Sequence, residues 1–315
     1  MSPSEKAEAL LETILLRCTA ARLPVGEVLH RQWNVEAAVG EGPAAVKVLV
    51  YFNAKGTLTP KIQGKKSPLR DLVELQLYGD EIPGSPFLPA DVCNWIGVDE
   101  SGKGDYFGPL VAAAVEVSAD SLLQLQTLIL RDSKELGAER ITRAAKDIRR
   151  ICEGKFSIVT VLPERYNTFM EGTSFGKNSQ RILAWMHARC IEDLLGQGGA
   201  ARHAVCDKFA NDAVIRRALM THGRSITVHQ HVRAEADPAV AAAAILARDE
   251  FTRRIAQLSK QAGCRLPLGA SDERGIFLAA RHIMKTEGMT ALRSYAKLHF
   301  RTTQKMLAEL KRAEE

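Results

Sequence analysis

The sequence predicts an α/β protein in which a mixed sheet is flanked by helices and preceded by a smaller α+β domain. Three observations support this fold class. Apolar strands follow one another over residues 95–162, helices and strands then alternate over residues 179–258, and a proline-rich segment separates both from the N-terminal part. A strand meander followed by helix–strand alternation needs a sheet with antiparallel and parallel neighbours and helices on its faces.

The N-terminal part is predicted to contain a helix, a hairpin and a second helix. Ser2, Pro3 and Glu5 suit the cap and first turn of the first helix, whose apolar residues recur at helical spacing. Val46–Phe52 and Thr57–Gln63 are strand-like and flank a turn. The second helix is amphipathic, with apolar residues at Leu69, Leu72, Val73, Leu75 and Leu77.

A domain boundary is predicted within residues 82–89, which contain three prolines. Proline cannot extend a helix or a central strand. At 315 residues the chain also exceeds the usual length of one domain. We therefore expect one domain over residues 1–88 and a larger one over residues 89–315.

The larger domain is predicted to contain five strands and seven helices. The strands are expected at Trp95–Glu100, Leu110–Val117, Phe156–Leu162, His203–Cys206 and Ser225–His231. Helices are expected at Ala119–Leu130, Ala138–Cys152, Ser179–Leu195, Asp212–Met220 and Pro238–Leu258, with two more around a loop at Leu266–Arg274.

The charge is distributed unevenly along the chain. The net charge is +6, but residues 1–90 hold ten basic and ten acidic residues, so the excess lies beyond them. A basic balance suits a polyanionic partner but is also common without one. Within the balanced part, Val46–Lys66 contains no acid and carries lysines that include Lys55, Lys61, Lys65 and Lys66.

Two interpretations of this lysine-bearing hairpin stay open. Lysines neutralise phosphates, and exposed aromatic rings such as Tyr51 and Phe52 can lie against sugar or base, which predicts a duplex-binding face. Alternatively, lysines on an exposed edge keep a hairpin soluble.

Several protein classes are disfavoured by composition. The sequence has no run of eighteen apolar residues and no basic start followed by an apolar stretch, so neither a membrane span nor a signal peptide is expected. The six cysteines show no CxxC and no paired Cys/His spacing. This pattern argues against structural zinc and disulfides, and predicts a cytoplasmic protein with reduced thiols.

The segment Trp95–Val115 carries most of the chemical information. An apolar strand ends in Asp99 and Glu100, a glycine-rich turn follows, and a second apolar strand begins. Hard cations such as Mg²⁺ take oxygen ligands, so paired carboxylates at a strand end suit a divalent metal. A hairpin with solvated acids is one alternative. A nucleotide-binding loop is disfavoured, because the glycines are spaced GxGxxxG, no helix follows, and acids stand where pyrophosphate would bind.

Further acids stand at other strand ends. A two-ion phosphodiesterase needs three or four carboxylates that converge from different strands. Asp207 ends the strand HAVCD, and Glu235 follows the last strand. Asp237 is its near neighbour but suits the N-cap of the helix that begins at Pro238. Each acid by itself is more often a cap or a surface residue, whereas their joint placement favours a metal site.

Other polar and aromatic residues have simpler interpretations. His229 and His231 face the same side of one strand and could bind metal, but a polar strand face near substrate is favoured. Trp185 and His187 lie in a predicted helix, where we expect them to serve packing.

The stretch DESGKGDYFGPL at residues 99–110 resembles the signature of the ribonuclease HIII family, which are type 2 ribonucleases H. Similar blocks follow in order at residues 131–134, 163–167, 182–189, 206–210, 233–235, 240–248, 266–271 and 296–300. The resemblance covers about residues 90–300. Residues 1–90 more loosely resemble the TATA-box-binding-protein-like domain that precedes the nuclease in this family.

The resemblance implies a ribonuclease H-like fold and an endonuclease that cleaves the RNA strand of RNA–DNA hybrids, leaving 5′-phosphate and 3′-hydroxyl ends. Its implied cofactors are two Mg²⁺ or Mn²⁺ ions, and a monomer is expected. The implied catalytic and metal-binding residues are Asp99, Glu100, Asp207 and Glu235. The implied substrate contacts are Ser101, Gly102, Lys103, Gly104, Asp132, Ser133 and Lys134.

Two other functions are compatible with this fold, and the proposed metal site places one condition on the geometry of the first strand. The chain could be a non-catalytic hybrid- or DNA-binding protein of the same fold, or a nuclease acting on DNA alone. The GKG turn argues against the second, because only RNA offers a 2′-hydroxyl to read. Adjacent strand residues point to opposite faces, so Asp99 and Glu100 can share a site only if the strand ends or bulges there.

Overall fold

The computed structural model describes residues 2–77, 84–119, 121, 122, 124, 125, 128 and 138–314. The chain divides into two compact units: Met1–Pro83 with Asp120–Glu135, and Gly84–Ala119 with Leu136–Glu315. Asp132, Ser133 and Lys134, named above as substrate contacts, lie outside the described residues, as does part of the predicted helix Ala119–Leu130.

Over residues 2–77, the first unit contains a four-stranded antiparallel sheet and two α-helices. The elements are α1 (Pro3–Ala20), β1 (Leu29–His30), β2 (Asn34–Val39), β3 (Val46–Phe52), β4 (Leu58–Gln63) and α2 (Pro68–Leu77). The predicted capping box is confirmed, because the Ser2 Oγ accepts the Glu5 N–H and the Glu5 carboxylate accepts the Ser2 N–H. Strands β1 and β2 were not predicted, since one is very short and the other, NVEAAV, is poor in β-branched and aromatic residues.

The second unit contains the predicted mixed sheet, in the order β7-β6-β5-β8-β9. Its strands are β5 (Trp95–Ser101), β6 (Leu110–Val117), β7 (Phe156–Val161), β8 (His203–Asp207) and β9 (Thr227–His231). The first three form an antiparallel meander, and β8 and β9 run parallel to β5. Within the described residues, no helix is long and apolar enough to cross a membrane.

Helices cover the sheet and connect its later strands. They are α3 (Ala138–Ile151), α4 (Pro163–Glu171), α5 (Ser179–Gly196), α6 (Asp212–Ala218), α7 (Pro238–Gln261), α8 (Glu273–Glu287) and α9 (Arg301–Glu314). Helix α4 was not predicted, although Pro163 occupies its first turn.

The two faces of β5 contact different helices, because its side chains alternate in direction. Ile96 and Val98 belong to the apolar core that includes Leu183 of α5. On the other face, α7 approaches so closely that a Cβ on Gly97 would lie 2.1 Å from the Ala239 carbonyl carbon. Only glycine permits this approach, and the alternation decides which helix each later residue of β5 meets.

Asp237 fixes the start of α7. It is fully buried, and its Oδ1 accepts the N–H groups of Ala239 and Val240 and the Trp95 indole N–H. These are the contacts of a helix N-cap, as the sequence suggested.

Candidate active site

Asp99 and Glu100 lie near the end of β5 on a strand that remains regular. They pair with Ala113 and Ala112 of β6, and the ladder continues to Ser101. The expected strand end or bulge between the two acids is therefore absent from this described strand. Glu100 lies on the α5 face and Asp99 on the α7 face, while the Asp99 Oδ1 accepts the Glu100 N–H at 2.8 Å.

Asp207 occupies the equivalent position on the neighbouring strand. The parallel ladder between β5 and β8 includes Val98 paired with Cys206, and Asp99 and Asp207 are the next residue on each strand. The two acids therefore lie on the same face of the sheet, where β5 and β8 end. Their charges influence one another, as do those of Asp99 and Glu100.

Glu235 follows a residue whose backbone N–H contacts the Asp207 carboxylate. The Ala234 N–H donates to the Asp207 Oδ1 at 3.3 Å, and Glu235 is the next residue. Its 3₁₀ turn, Ala234–Ala236, follows Arg233 in the left-handed conformation at φ 60°. The Glu235 side chain is exposed, whereas Asp99, Glu100 and Asp207 are half-buried.

The carboxyl groups of Asp99 and Glu100 ionise differently. Burial, the largest cause, and the charges of Glu100 and Asp207 raise the pKa of Asp99 to about 7, against the Glu100 N–H and the charge of His187. Burial would also raise the pKa of Glu100, but the hydrogen bonds and charges of His187 and Lys103 outweigh it and hold that pKa below its ordinary value.

His187 is the member of this cluster that sequence reasoning missed. It lies on α5 with no exposed surface, and its Nε2 is 3.2 Å from the Glu100 Oε2. The packing expected of His187 is present, because its ring lies edge-on against Phe209, but its contact with Glu100 was not predicted. Trp185 packs against Phe169 and Phe175, as expected. A histidine on the apolar face of a helix was the available signal, because a buried polar ring needs a partner.

The glycine turn after β5 makes two different demands on its glycines. Gly102 has φ 92°, and a Cβ there would lie 2.2 Å from the Pro109 carbonyl oxygen and 2.9 Å from the Phe251 ring. A Cβ on Gly104 would meet no protein atom within 4 Å. Gly102 is therefore needed by the fold, whereas nothing in the described protein requires glycine at position 104.

Two segments from the C-terminal part of the chain, residues 266–271 and 296–300, hold this turn in place. The Asp105 Oδ1 accepts the Gly269 N–H at 2.6 Å, and the Lys297 Nζ donates to the Gly108 carbonyl oxygen at 2.7 Å. Ser101, just before the turn, is buried. Loops distant in sequence therefore set the position of the turn.

Lys103 is the exposed charge of the turn. Its side chain is 53% exposed, and its Nζ lies 3.3 Å from the Glu100 Oε1 and 5.8 Å from the centre of the Phe209 ring. An exposed lysine can exchange one anionic partner for another at little cost. The Lys103 ammonium can therefore leave the Glu100 carboxylate for another anion.

Replacing Lys297 with Met should change how stability depends on pH. Burial lowers the pKa of Lys297 to about 7, with the Asp105 charge opposing it. Between pH 7 and its ordinary value, the unfolded chain holds a proton that the folded protein lacks, so the unfolding free energy rises with pH. From pH 7 to pH 9 this rise should be about 2 kcal/mol greater in the wild type than in Lys297→Met.

Urea unfolding at both pH values would measure this difference, with Lys260→Met as the matched control at an exposed lysine. A Lys297→Met protein with the same pH dependence as the wild type would contradict the assignment.

The donor set fits a hard divalent cation. Among the residues that the structure describes, no three His, Cys, Asp or Glu side chains are arranged around one point as metal ligands. Asp99, Glu100 and Asp207 nevertheless offer carboxylate oxygens, which Mg²⁺ and Mn²⁺ prefer. The raised pKa of Asp99 reflects burial and anionic neighbours, and a cation there would favour the ionised form.

The histidines of β9 form a polar face. His229 Nε2 lies 3.1 Å from His203 Nδ1, and the His231 ring stacks on Phe87 with centroids 4.4 Å apart. These contacts agree with the favoured interpretation of a polar strand surface.

The lysine-bearing hairpin of the first unit has one exposed aromatic residue among the two expected. Lys55, Lys61, Lys65 and Lys66 are all exposed. Tyr51 is 39% exposed, and the Lys61 Nζ lies 5.8 Å from its ring centre. Phe52 is only partly exposed, because it packs against the apolar core under α1. Whether this face binds a duplex stays a prediction.

Residues 96–303 match the family model described as Ribonuclease HII. The chain is similar to the Ribonuclease HIII of Protochlamydia amoebophila, with 38% identity over 225 residues that cover 71% of this chain and 72% of that protein. The Ribonuclease HIII of Chlamydia pneumoniae is 39% identical over 211 residues, covering 66% of this chain and 68% of that protein.

A solved structure extends the likeness to both parts of the chain. Bst-RNase HIII in complex with Mn²⁺ has a TM-score of 0.62 and 29% identity, covering 96% of this chain and 97% of that one. The ribonuclease H2 from Pyrococcus horikoshii, at 20% identity and a TM-score of 0.56, shares the fold over 69% of this chain.

Proposed function

This chain belongs to the ribonuclease HII family, and from that membership we propose that it cleaves the RNA strand of RNA–DNA hybrids by metal-dependent hydrolysis. The observation that carries the proposal is that Asp99 and Asp207 lie side by side on one face at the ends of β5 and β8, with Glu100 next to Asp99 and directly before the glycine turn. The Mn²⁺ complex of Bst-RNase HIII supports the use of a divalent metal.

We assign the metal ligands to Asp99, Glu100, Asp207 and Glu235. Because Asp99 and Glu100 lie on opposite faces of a regular strand, this assignment requires their carboxylates to meet beyond Ser101, where β5 ends. When bound, two Mg²⁺ or Mn²⁺ ions would supply the Lewis acidity that activates a water molecule and stabilises the leaving oxygen. The water oxygen attacks phosphorus, the bond from phosphorus to the 3′-oxygen breaks, and that oxygen takes up a proton. The products carry 5′-phosphate and 3′-hydroxyl ends.

We assign recognition of RNA to the Gly102–Lys103–Gly104 turn. Open space beside Gly104 lets the sugar approach the backbone, whose amide and carbonyl groups can hydrogen-bond the 2′-hydroxyl. Lys103 would contact a phosphate as a point charge. Ser101 and the segment Asp132, Ser133 and Lys134 complete the proposed substrate contacts.

Replacing Gly104 with Ala should impair cleavage more than binding. The protein itself has room for the added methyl group, so the variant should fold normally. The methyl group would instead occupy the space proposed for the ribose, while phosphate contacts elsewhere keep most of the affinity. Single-turnover cleavage and hybrid binding, measured together, give the comparison. Equal losses in both would refute this role for the turn.

The activity is tested on an RNA–DNA duplex with Mg²⁺ or Mn²⁺, with and without EDTA. Metal-dependent cuts in the RNA strand, leaving the stated ends, are expected. A duplex of DNA alone is the control for a DNA nuclease, and a duplex with one embedded ribonucleotide defines the substrate further. Tight hybrid binding without any cleavage would instead favour the alternative, a non-catalytic hybrid- or DNA-binding protein.

We further propose that residues 1–88 form a substrate-binding domain, residues 89–315 the catalytic domain, and that the enzyme acts as a cytoplasmic monomer. The exposed lysines of the hairpin support a role in holding the duplex.

A further inference from the structure

We propose that His187 is a positioning residue that fixes the Glu100 carboxylate through Oε2 and leaves Oε1 to a divalent metal ion. The inference rests on the proposed function, in which Glu100 is a metal ligand. It adds a residue of α5 to a site that otherwise consists of strand ends and the turns after them.

The two oxygens of Glu100 have different partners. Oε2 faces the Nε2 of His187 at 3.2 Å, and the His187 side chain has no exposed surface. Oε1 faces the ammonium of Lys103 at 3.3 Å, and that side chain is 53% exposed. A buried ring keeps its position, whereas an exposed lysine can move away. Only Oε1 can therefore change partner without disturbing the core.

The surroundings of His187 favour one tautomer. Its Nδ1 is buried and has no hydrogen-bond partner among the described residues. The Phe209 ring packs edge-on against the imidazole, with centroids 4.8 Å apart. A proton on Nε2 is donated to Glu100 and leaves only a lone pair in apolar surroundings. A proton on Nδ1 alone would bury an unpaired donor and set two lone pairs against each other.

A fixed oxygen matters because glutamate has three rotatable side-chain bonds. Without the buried donor, the Glu100 carboxylate would sample several orientations, and the metal would have to select one of them. Outer partners of metal ligands typically change metal affinity by about 10–100-fold when removed. Lys103 should act in the opposite direction, since its positive charge competes with the cation for Oε1.

The test is a titration of the full-length, substrate-free protein with Mn²⁺. Calorimetry and the electron paramagnetic resonance signal of free Mn²⁺ measure the binding. His187→Leu removes the donor and keeps an apolar side chain. His187→Gln keeps an N–H donor near the place of Nε2. Cys190→Ala is the matched control, because Cys190 is fully buried on the same helix. Lys103→Met removes the other partner of Glu100.

His187→Leu should bind Mn²⁺ about tenfold more weakly or worse. His187→Gln and Cys190→Ala should stay within about threefold of the wild type, and Lys103→Met should bind at least as tightly as the wild type. Should His187→Leu fail to fold, His187→Asn replaces it, because its amide is too short to reach Oε2. Equal affinity of the Gln and donor-less variants would overturn the proposal.

A parallel hybrid-cleavage assay separates this inference from the proposed function. A wild type that binds Mn²⁺ but does not cut hybrids would refute the function. A wild type that cuts, together with a His187→Leu protein of unchanged Mn²⁺ affinity, would refute only the role of His187.

Discussion

Removing the charge of any one proposed metal ligand should lower kcat by on the order of 10²–10³-fold, because ions held by carboxylates stabilise the transition state by several kcal/mol. The four variants are Asp99→Asn, Glu100→Gln, Asp207→Asn and Glu235→Gln. Asp99 and Asp207 lie side by side at the ends of β5 and β8, and the charges of Glu100 and Asp207 both act on Asp99. Single-turnover cleavage of an RNA–DNA hybrid measures the loss, and circular dichroism checks that each variant stays folded.

Asp99→Asn should raise the unfolding free energy of the metal-free protein, although it lowers kcat. The folded-state pKa of Asp99 is about 7, above its ordinary value of 3.8. The folded protein therefore holds a proton that the unfolded chain has lost, and stability falls as the pH rises from about 4 to 7. At pH 8 in EDTA, Asp99→Asn should be more stable than the wild type by on the order of 4 kcal/mol, and by less at pH 5.

Glu235 and Asp237 provide an internal comparison. Asp237 caps α7 and accepts the Trp95 indole N–H, so Asp237→Asn should mainly lower stability. Glu235 is exposed and has no such contacts among the described residues. Near-normal turnover in Glu235→Gln, with turnover abolished in Asp237→Asn, would show that the fourth ligand is wrongly assigned.

Charge removal on the hairpin is the second large effect expected. A quadruple variant with Gln at each of these lysines should raise KM for hybrid cleavage by about tenfold or more and change kcat little. The four positions are Lys55, Lys61, Lys65 and Lys66. Contacts made equally in the ground and transition states have this kinetic signature. The slope of log affinity against log salt should also flatten by roughly one unit for each phosphate that is no longer neutralised.

The matched control carries the same change in net charge at other exposed lysines. A suitable control has Gln at four other exposed lysines, which are Lys6, Lys146, Lys260 and Lys285. If the hairpin variant and this control lose affinity equally, general charge rather than the hairpin holds the duplex. If neither changes the salt slope, the hairpin is only a soluble edge.

The sequence by itself determined most elements of the fold. Strands Val46–Phe52 and Leu110–Val117 have the predicted bounds, and the capping box at Ser2 is present. These features depend on side-chain alternation and on groups a few residues apart, which a sequence displays directly. The same is true of Asp99 and Asp207, whose place at strand ends follows from the apolar runs before them.

Only the tertiary structure decided how the site is assembled. β5 has no bulge, so the parallel pairing with β8, and not a local distortion, brings Asp207 beside Asp99. His187 is 87 positions from Glu100 and reaches it only because α5 packs on that face of the sheet. Helical periodicity showed that His187 would be buried, but the partner of a buried polar group depends on packing between elements distant in sequence.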